Sequence, residues 1–292
     1  MKGWIASCVF LIASAAVAEN SSLRVAALDH LRTIAEPLFE QGQSTEPRFD
    51  QFYAGMVEQM PPQARAERAL ELSINRFAGA AEYVVDHAQS WRGRIRPNER
   101  LDTLITTAIN APFIETRMAG FEMHLAQYDL EKSPQEIDHL IDRLNEDPQG
   151  AGPWALWSMA VIGARGVDRE RIFDELLLAS HHQEIVVRHW AVESLAKLGG
   201  LEVIDPLLEI AVGDASANVR ERAFCGLAQS GTLHVAERYA ALPGLLAIIE
   251  NPQWDAQTHQ WTYRALREIS SAYDMPDDPS AWRELLLDLQ IL

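Results

Sequence analysis

Cysteine is almost missing from this chain. Two occur in 292 residues. Cys8 lies inside an N-terminal apolar stretch that reads as a cleavable leader, so Cys225 is left alone and an intramolecular disulfide is excluded. Cys225 falls mid-helix beside Phe224 and Leu227 and reads as a buried structural thiol. A catalytic thiol would need a nearby histidine in an electropositive setting, and the nearest in sequence is only His234. Basic residues are scarce too: 25 Lys and Arg stand against 42 Asp and Glu, a formal net charge of −17. That balance disfavours nucleic acid, whose phosphates need clustered cations, and docking on anionic lipid. It favours solubility and cationic partners. Beyond residue 18 no run of 18 apolar residues exists, so no later transmembrane helix is expected. Strand-like alternation, βαβ spacing and a Gly-rich phosphate loop are missing. HExxH, CxxC, GxSxG and SxxK are missing as well, so neither metal ligands nor an activated nucleophile is indicated and no cofactor is expected.

The N-terminus carries a different signal. Lys2 supplies a positive start, residues 4–15 are apolar, and Ala16-Val17-Ala18 forms a small-residue cleavage site. Residues 1–18 are therefore expected to be a secretory signal peptide, too short to span a membrane. Ile5-Ala6-Ser7-Cys8 lies too near the start to serve as a lipoprotein box. Cleavage near Ala18 removes one lysine and no acid, leaving a mature charge of about −18. The expectation is an exported protein, periplasmic or released, with no membrane insertion after cleavage.

Helical periodicity dominates the remainder, most clearly over residues 182–214. A helix over 184–198 places Val187, Trp190, Ala191, Ser194, Leu195 and Leu198 on one face, the i, i+3, i+4, i+7 spacing of an amphipathic helix. Gly199-Gly200 ends it in an expected left-handed cap. A second helix over 202–212 buries Val203, Ile204, Leu207, Leu208 and Ala211. The unit then recurs. Trp190, Ala191 and Leu195 fall on Trp154, Ala155 and Met159 after a shift of 36. A forward shift of 32 lays Ala191 on Ala223 and Leu195 on Leu227, and a further 39 lays Leu227 on Leu266. Ala119 and Met123 extend the register backwards. The second helices repeat independently through apolar pairs: Leu140-Ile141, Leu176-Leu177, Leu207-Leu208, Leu245-Leu246 and Leu285-Leu286. One amphipathic hairpin cannot bury its apolar face alone, and a stack of them can. About five two-helix units are expected, in an all-α solenoid.

These repeats resemble HEAT repeats. Asp214, followed six residues later by Arg220, looks like the aspartate–arginine ladder of that family, in which neighbouring repeats bridge through the pair. Arg188 occupies the arginine position one unit earlier, with Ser180 or His182 near its aspartate position. Asn110 stands in the same way ahead of Arg117. The resemblance implies an α-solenoid over residues 99–292, built of HEAT-like hairpins, with Asp214, Arg188 and Arg220 as structural rungs. Residues 19–98 then form an N-terminal helical cap, with helices over 22–40, 49–60, 63–76 and 79–91. The basic turn Arg92, Arg94 and Arg96 closes it, and the chain ends in a helix over 280–292.

Candidate chemistry is sparse. His181, His182 and His189 with Glu184 could assemble two histidines and a carboxylate, a set able to hold zinc, although exposed loop histidines are the simpler reading. Carboxylate pairs such as Glu67 with Glu71 and Asp277 with Asp278 have no partner that would separate their pKa values. Tryptophan is the more informative residue. Trp154 and Trp190 hold the same repeat position, and Trp157, Trp254 and Trp261 lie within the repeats. Facing inward they would be inter-repeat core, which equal repeat positions favour. Facing outward they would form an aromatic ladder for a peptide or glycan.

The function expected on these grounds is a non-catalytic scaffold that binds a protein or peptide partner on its helical surface. The alternatives are an enzyme or cofactor-attachment protein resembling HEAT-like bilin lyases, a DNA-repair glycosylase of HEAT type, or a zinc module at the turn around His181–His189. Export counts against the lyase; charge and export count against the glycosylase.

Overall fold

Most helices begin where the sequence supplies a cap or a proline. The computed structural model describes residues 47–292. The expected leader, Cys8 and the helix over 22–40 lie outside the described residues. Asp50 accepts hydrogen bonds from the Phe52 and Tyr53 N–H groups and opens α1 (Gln51–Glu58), satisfying donors a helix start leaves orphaned. α2 (Pro62–Ile74) starts on proline, whose missing N–H costs nothing there. α3 (Ala80–Trp91) follows, and Asn98 caps α4 (Glu99–Ile109) through the Leu101 N–H. α5 (Ile114–Gln127) completes this N-terminal group. Among the described residues the only extended pairing is one bridge between Arg48 and Ala78, and no helix is long and apolar enough to cross a membrane.

The array follows: α6 (Pro134–Glu146), α7 (Gly152–Ala164), α8 (Arg169–Ala179) and α9 (Ile185–Leu198). α10 (Ile204–Gly213), α11 (Ala217–Ala228) and the brief α12 (Val235–Tyr239) continue the series. α13 (Leu242–Glu250), α14 (Ala256–Ser270) and α15 (Pro279–Asp288) close it. The long helices α7, α9, α11 and α14 pack side by side in one row. Their central small residues Ala155, Ala191 and Ala223 are fully buried, so no side chain holds the helices apart. This is an all-α solenoid.

Two details differ from the sequence-based expectation. Gly199 has φ 69° and ψ −166°, and Gly200 has φ 85°. Gly199 thus takes a conformation essentially reserved for glycine rather than a left-handed cap. A single 3-10 turn, Leu201–Val203, intervenes before α10. As a result α10 packs chiefly on α11 and little on α9, and the tight hairpin is the one turning at Asp214. There the Asp214 carboxylate accepts the Ser216 N–H at 2.7 Å, which fixes the turn.

The second difference concerns α5. The sequence lays Ala119 and Met123 onto the array, yet α5 packs mainly on α3 and α4 and only marginally on α7. Both faces of α5 are apolar. Ala119, Met123 and Ala126 join a hydrophobic cluster that begins at Val57, while Phe121 and Leu125 join the cluster of the array. The expected boundary between residues 98 and 99 falls between α3 and α4, inside the first of these clusters.

Polar groups hold α5 against the array. Buried Arg117 donates to the carbonyls of Ala111, Gly231 (2.6 Å) and Gln229 (3.2 Å), the last two in the loop after α11. That loop is itself pinned, since Thr232 N–H donates to the Ala196 carbonyl (3.0 Å) and its hydroxyl to that of Lys197 (2.9 Å). Gly231, at φ 77°, lies so close that an added Cβ would overlap the Ala196 carbonyl. Buried Glu122 pairs with Lys132 and Arg165. His124 packs edge-on against Trp157 with centroids 4.2 Å apart and lies 3.4 Å from the Ser158 hydroxyl. Burial lowers its pKa to about 3, because the charged ring would lose its solvation.

Two outcomes follow from this junction. Gly231→Ala should cost about 2–4 kcal/mol, the size expected for strained backbone plus a backbone clash, read by urea unfolding. An unchanged midpoint would mean that the loop is not seated there. For His124, the unfolded chain takes up the proton near 6.5 and the folded chain only near 3. The unfolded state binds more protons between those values, so this group's contribution is full above 6.5 and is lost as pH falls. Relative to His124→Gln, the native protein should lose about 1.4 kcal/mol of stability per pH unit below 6.5. Parallel stability–pH curves for the two proteins would contradict a buried neutral ring.

Candidate interaction surface

A residue adjacent in sequence to a buried helical position lies about 100° around the helix, at the edge of the buried face. Four residues stand there in register. Trp154, Trp190, Arg222 and Trp261 immediately precede Ala155, Ala191, Ala223 and Thr262, all fully buried. Each of the four is half-buried. Trp154, Trp190 and Trp261 therefore share one row across the long helices, partly core and partly surface. Trp157, one turn on, is buried beneath Phe121 and His124. Trp254 lies in the loop before α14, outside the row. Tyr128, exposed at 42 %, meets Trp154 edge to face with centroids 5.8 Å apart. Only the fold brings Tyr128 there, since it follows α5 and carries no repeat signature.

Electrostatics fix the middle of the row. Glu193 of α9 pairs with Lys197 and with Arg222 of α11, and Arg222 also donates to the Ser230 hydroxyl at 2.6 Å. Burial pushes the Glu193 pKa up, but Lys197 and Arg222 outweigh it and the net shift is downward. Burial pulls Lys197 down despite that same pair. His189 is lowered by burial and by Arg222. Cations also flank the outer rings, with Arg143 5.3 Å from the Trp154 centroid and Arg220 5.8 Å from that of Trp261, within cation–π range. Between α11 and α14 lies a small hollow of about 20 Å³, lined by Glu221, Phe224, Cys225, Trp261, Arg264 and Glu268. Cys225 is half-buried, and burial raises its thiol pKa, the opposite of activation.

The ladder runs along the turns at one end of these helices. Arg188 binds Asp214 through two nitrogens, at 2.7 and 3.2 Å, and donates to the His182 and Gln183 carbonyls at 2.9 and 3.0 Å. Arg220 donates to the Asp214 carbonyl at 3.1 Å and to the Asp255 carboxylate at 3.3 Å. Asp255 is the rung the sequence did not indicate. Its signal was its place as the cap of α14, where it accepts the Thr258 N–H at 2.7 Å. In the next unit His259 takes the arginine's place and reaches the Asn251 carbonyl at 3.0 Å.

The histidine turn does not assemble a ligand set. The His182 ring accepts the Glu184 N–H at 3.0 Å, while His189 lies against Trp190 with centroids 6.2 Å apart. Among the described residues no group of three or more His, Cys, Asp or Glu side chains is placed to hold a metal ion. Of the basic turn, Arg92 pairs with Asp129 at 3.0 Å and lies 3.8 Å from Glu131.

Comparison with known proteins gives one match. The family model described as PBS lyase HEAT-like repeat matches residues 187–212, which take in most of α9, the 3-10 turn and most of α10. No curated protein and no solved structure matches the chain.

The two rungs should differ in weight. Arg188 and Asp214 are 14 % and 7 % exposed at their side chains, whereas Asp255 is 58 % exposed. Asp214→Ala leaves a largely buried guanidinium unpaired and should cost about 3 kcal/mol. Asp255→Ala removes a screened pair and a helix cap, about 1–2 kcal/mol in all. Thermal or urea unfolding of both variants ranks them, and the reverse order would contradict the ladder as described.

Proposed function

We propose that this chain, which belongs to the HEAT-repeat proteins, is an exported, non-catalytic scaffold that binds a protein or peptide partner on its row of long helices. One observation carries the reading: tryptophan recurs at one repeat position on α7, α9 and α14 and stays only partly buried each time. Tryptophan combines a large contact area with a polar edge, and it is over-represented among residues that dominate binding energy. A stack of helical hairpins offers such residues on an extended surface. The charge balance of −17 suits a cationic partner and not a polyphosphate. Residues 1–18 supply the export signal in this reading. The matched repeat supports architecture: Arg188 and Asp214, its neighbour just past the match, are engaged with each other as a rung.

Crosslinked capture of the tagged protein from its native cells tests this. The wild type should retain a reproducible protein partner. A variant carrying Trp154→Ala, Trp190→Ala and Trp261→Ala should lose it about tenfold or more while still unfolding cooperatively. Equal capture by both would place the partner elsewhere. A clean preparation holding a stoichiometric small molecule or metal would overturn the scaffold.

A further inference from the structure

The array does not finish on a covered face. In each earlier unit the short helix packs against the long helix that follows it: α6 on α7, α8 on α9, α10 on α11 and α13 on α14. α15 packs chiefly on α13, and among the described residues no long helix takes the corresponding place against it. Burial records the difference. The first leucine of each paired apolar step, Leu140, Leu176, Leu207 or Leu245, is buried. The residue four positions on, Leu144, Ser180, Ala211 or Ile249, is buried too. Their counterparts on α15 are Leu285, which stays partly exposed, and Leu289, which is 41 % exposed. The loop between α14 and α15 covers the start of the helix, where the Trp282 Nε1–H donates to the Pro276 carbonyl at 2.9 Å.

The two leucines lie between unlike flanks. Successive residues on a helix stand about 100° apart. Trp282 and Leu286 are on one side of the stripe and are fully buried in the core. Glu284 and Asp288 immediately precede the two leucines and are on the other side. Both are exposed, and neither forms an ion pair among the described residues. Arg283, the one basic residue of α15, is drawn to Glu250 of α13 at 2.8 Å. Two carboxylates one turn apart repel each other, and a cation brought beside them relieves that repulsion.

We propose that this end of the array receives an amphipathic helix of a partner protein, seated on Leu285 and Leu289 with lysine or arginine beside Glu284 and Asp288. Continuity gives the shape of the occupant: the place extends the interface between repeats, and in every earlier unit a helix fills it. Helices bound in this way anchor through apolar side chains at i, i+3 or i+4, and i+7, the period at which Leu285 and Leu289 are presented. The flank gives the sign of its charge. A second copy of the chain would bring its own acidic flank and a formal charge of −17, and both oppose association. The site is separate from the tryptophan row and does not rest on it.

The test uses the full purified chain and a labelled amphipathic peptide of about four helical turns, with leucine and alanine on one face and lysine along its flanks, followed by fluorescence anisotropy. One comparison peptide replaces each lysine by glutamate, and a second scrambles the order so that no apolar face forms. Saturable binding of the first peptide is expected. The Leu285→Ser, Leu289→Ser pair should weaken it about tenfold, and the Glu284→Gln, Asp288→Gln pair several-fold. Both pairs change residues that are at least partly exposed, and the acid-to-amide pair keeps side-chain shape, so circular dichroism should show the fold unchanged. Trp154→Ala with Trp190→Ala should leave the binding as it is. Equal binding of the scrambled peptide would reduce the effect to charge and overturn the proposal, and equal binding of the glutamate peptide would remove the acidic flank from it. Binding untouched by the leucine pair, or lost with the tryptophans instead, would place the peptide elsewhere and overturn it while leaving the tryptophan row as a binding surface. A dimer in sedimentation equilibrium that the leucine pair dissolves would make a second copy the occupant, against the proposal. Absence of binding would overturn it without touching the scaffold reading, which the captured partner decides.

Discussion

The close approach of one long helix to the next is the constraint on which the rest of this structure depends. Ala155, Ala191 and Ala223 are fully buried, and each leaves the neighbouring helix free to lie against backbone. The apolar residues around them, such as Val187, Leu195, Val219 and Leu227, complete a core that no single hairpin could close. A branched side chain at any of these alanines would force the axes apart, and overpacking of this kind typically costs about 1–3 kcal/mol. The damage would not stay local. Arg188 reaches Asp214 across that same contact, and Arg222 reaches Glu193. Core packing and surface geometry are therefore one property here.

The N-terminal group is attached by a different kind of bond. Arg117 and Arg238 are both buried, and both are satisfied largely by backbone carbonyls. Arg238 donates to the Leu227, Ser230 and Leu233 carbonyls, at 2.6, 2.9 and 3.1 Å. Arg169 donates to those of Leu198 and Gly199. These carbonyls lie at or just past the C-terminal ends of α9 and α11, where the last four acceptors lack partners and the helix dipole is negative. Arg117 and Arg238 answer both needs there without a carboxylate, whereas Arg169 also pairs with Glu202. Burial still weighs on them: it lowers the Arg238 pKa to about 10. A consequence is that an already acidic chain hides several of its few cations, and the surface left to solvent is more acidic than the composition implies.

Much of this fold was legible because periodicity records what burial requires. The helix expected over 184–198 forms over Ile185–Leu198, and the small residue at each helix centre was visible as a repeat. What was not legible depended on the third dimension. The pairing of α10 with α11 follows from the 3-10 turn after Gly200, which no periodicity encodes. The apolar faces on both sides of α5 gave the same signal as a repeat helix, although its partners are α3 and α4. Asp255 escaped because it stands four residues ahead of His259 and not six ahead of an arginine. Trp154 and Trp190 resisted a core-or-surface assignment for a simpler reason. A position next to a buried alanine lies on the boundary, and both answers hold for parts of the same side chain.

That boundary position is what the proposed binding role of the row rests on. The buried part of each indole fixes its orientation, and the exposed part presents a flat apolar face. Tryptophan has only two side-chain torsions to restrain, and packing has already restrained them. Arg222, which fills the same position on α11, is held by Glu193 and Ser230. A partner would therefore meet a surface that does not have to be ordered on contact, and affinity lost to ordering is small. In the proposed reading the chain's net negative charge would act at longer range, over about 8–10 Å at ordinary salt, and raise the rate at which a cationic segment arrives. The rings would act only on contact and set how slowly it leaves. In the proposed reading charge and aromatic surface would thus divide the work: one would gather basic partners without discrimination, and the other would keep those that fit the rings.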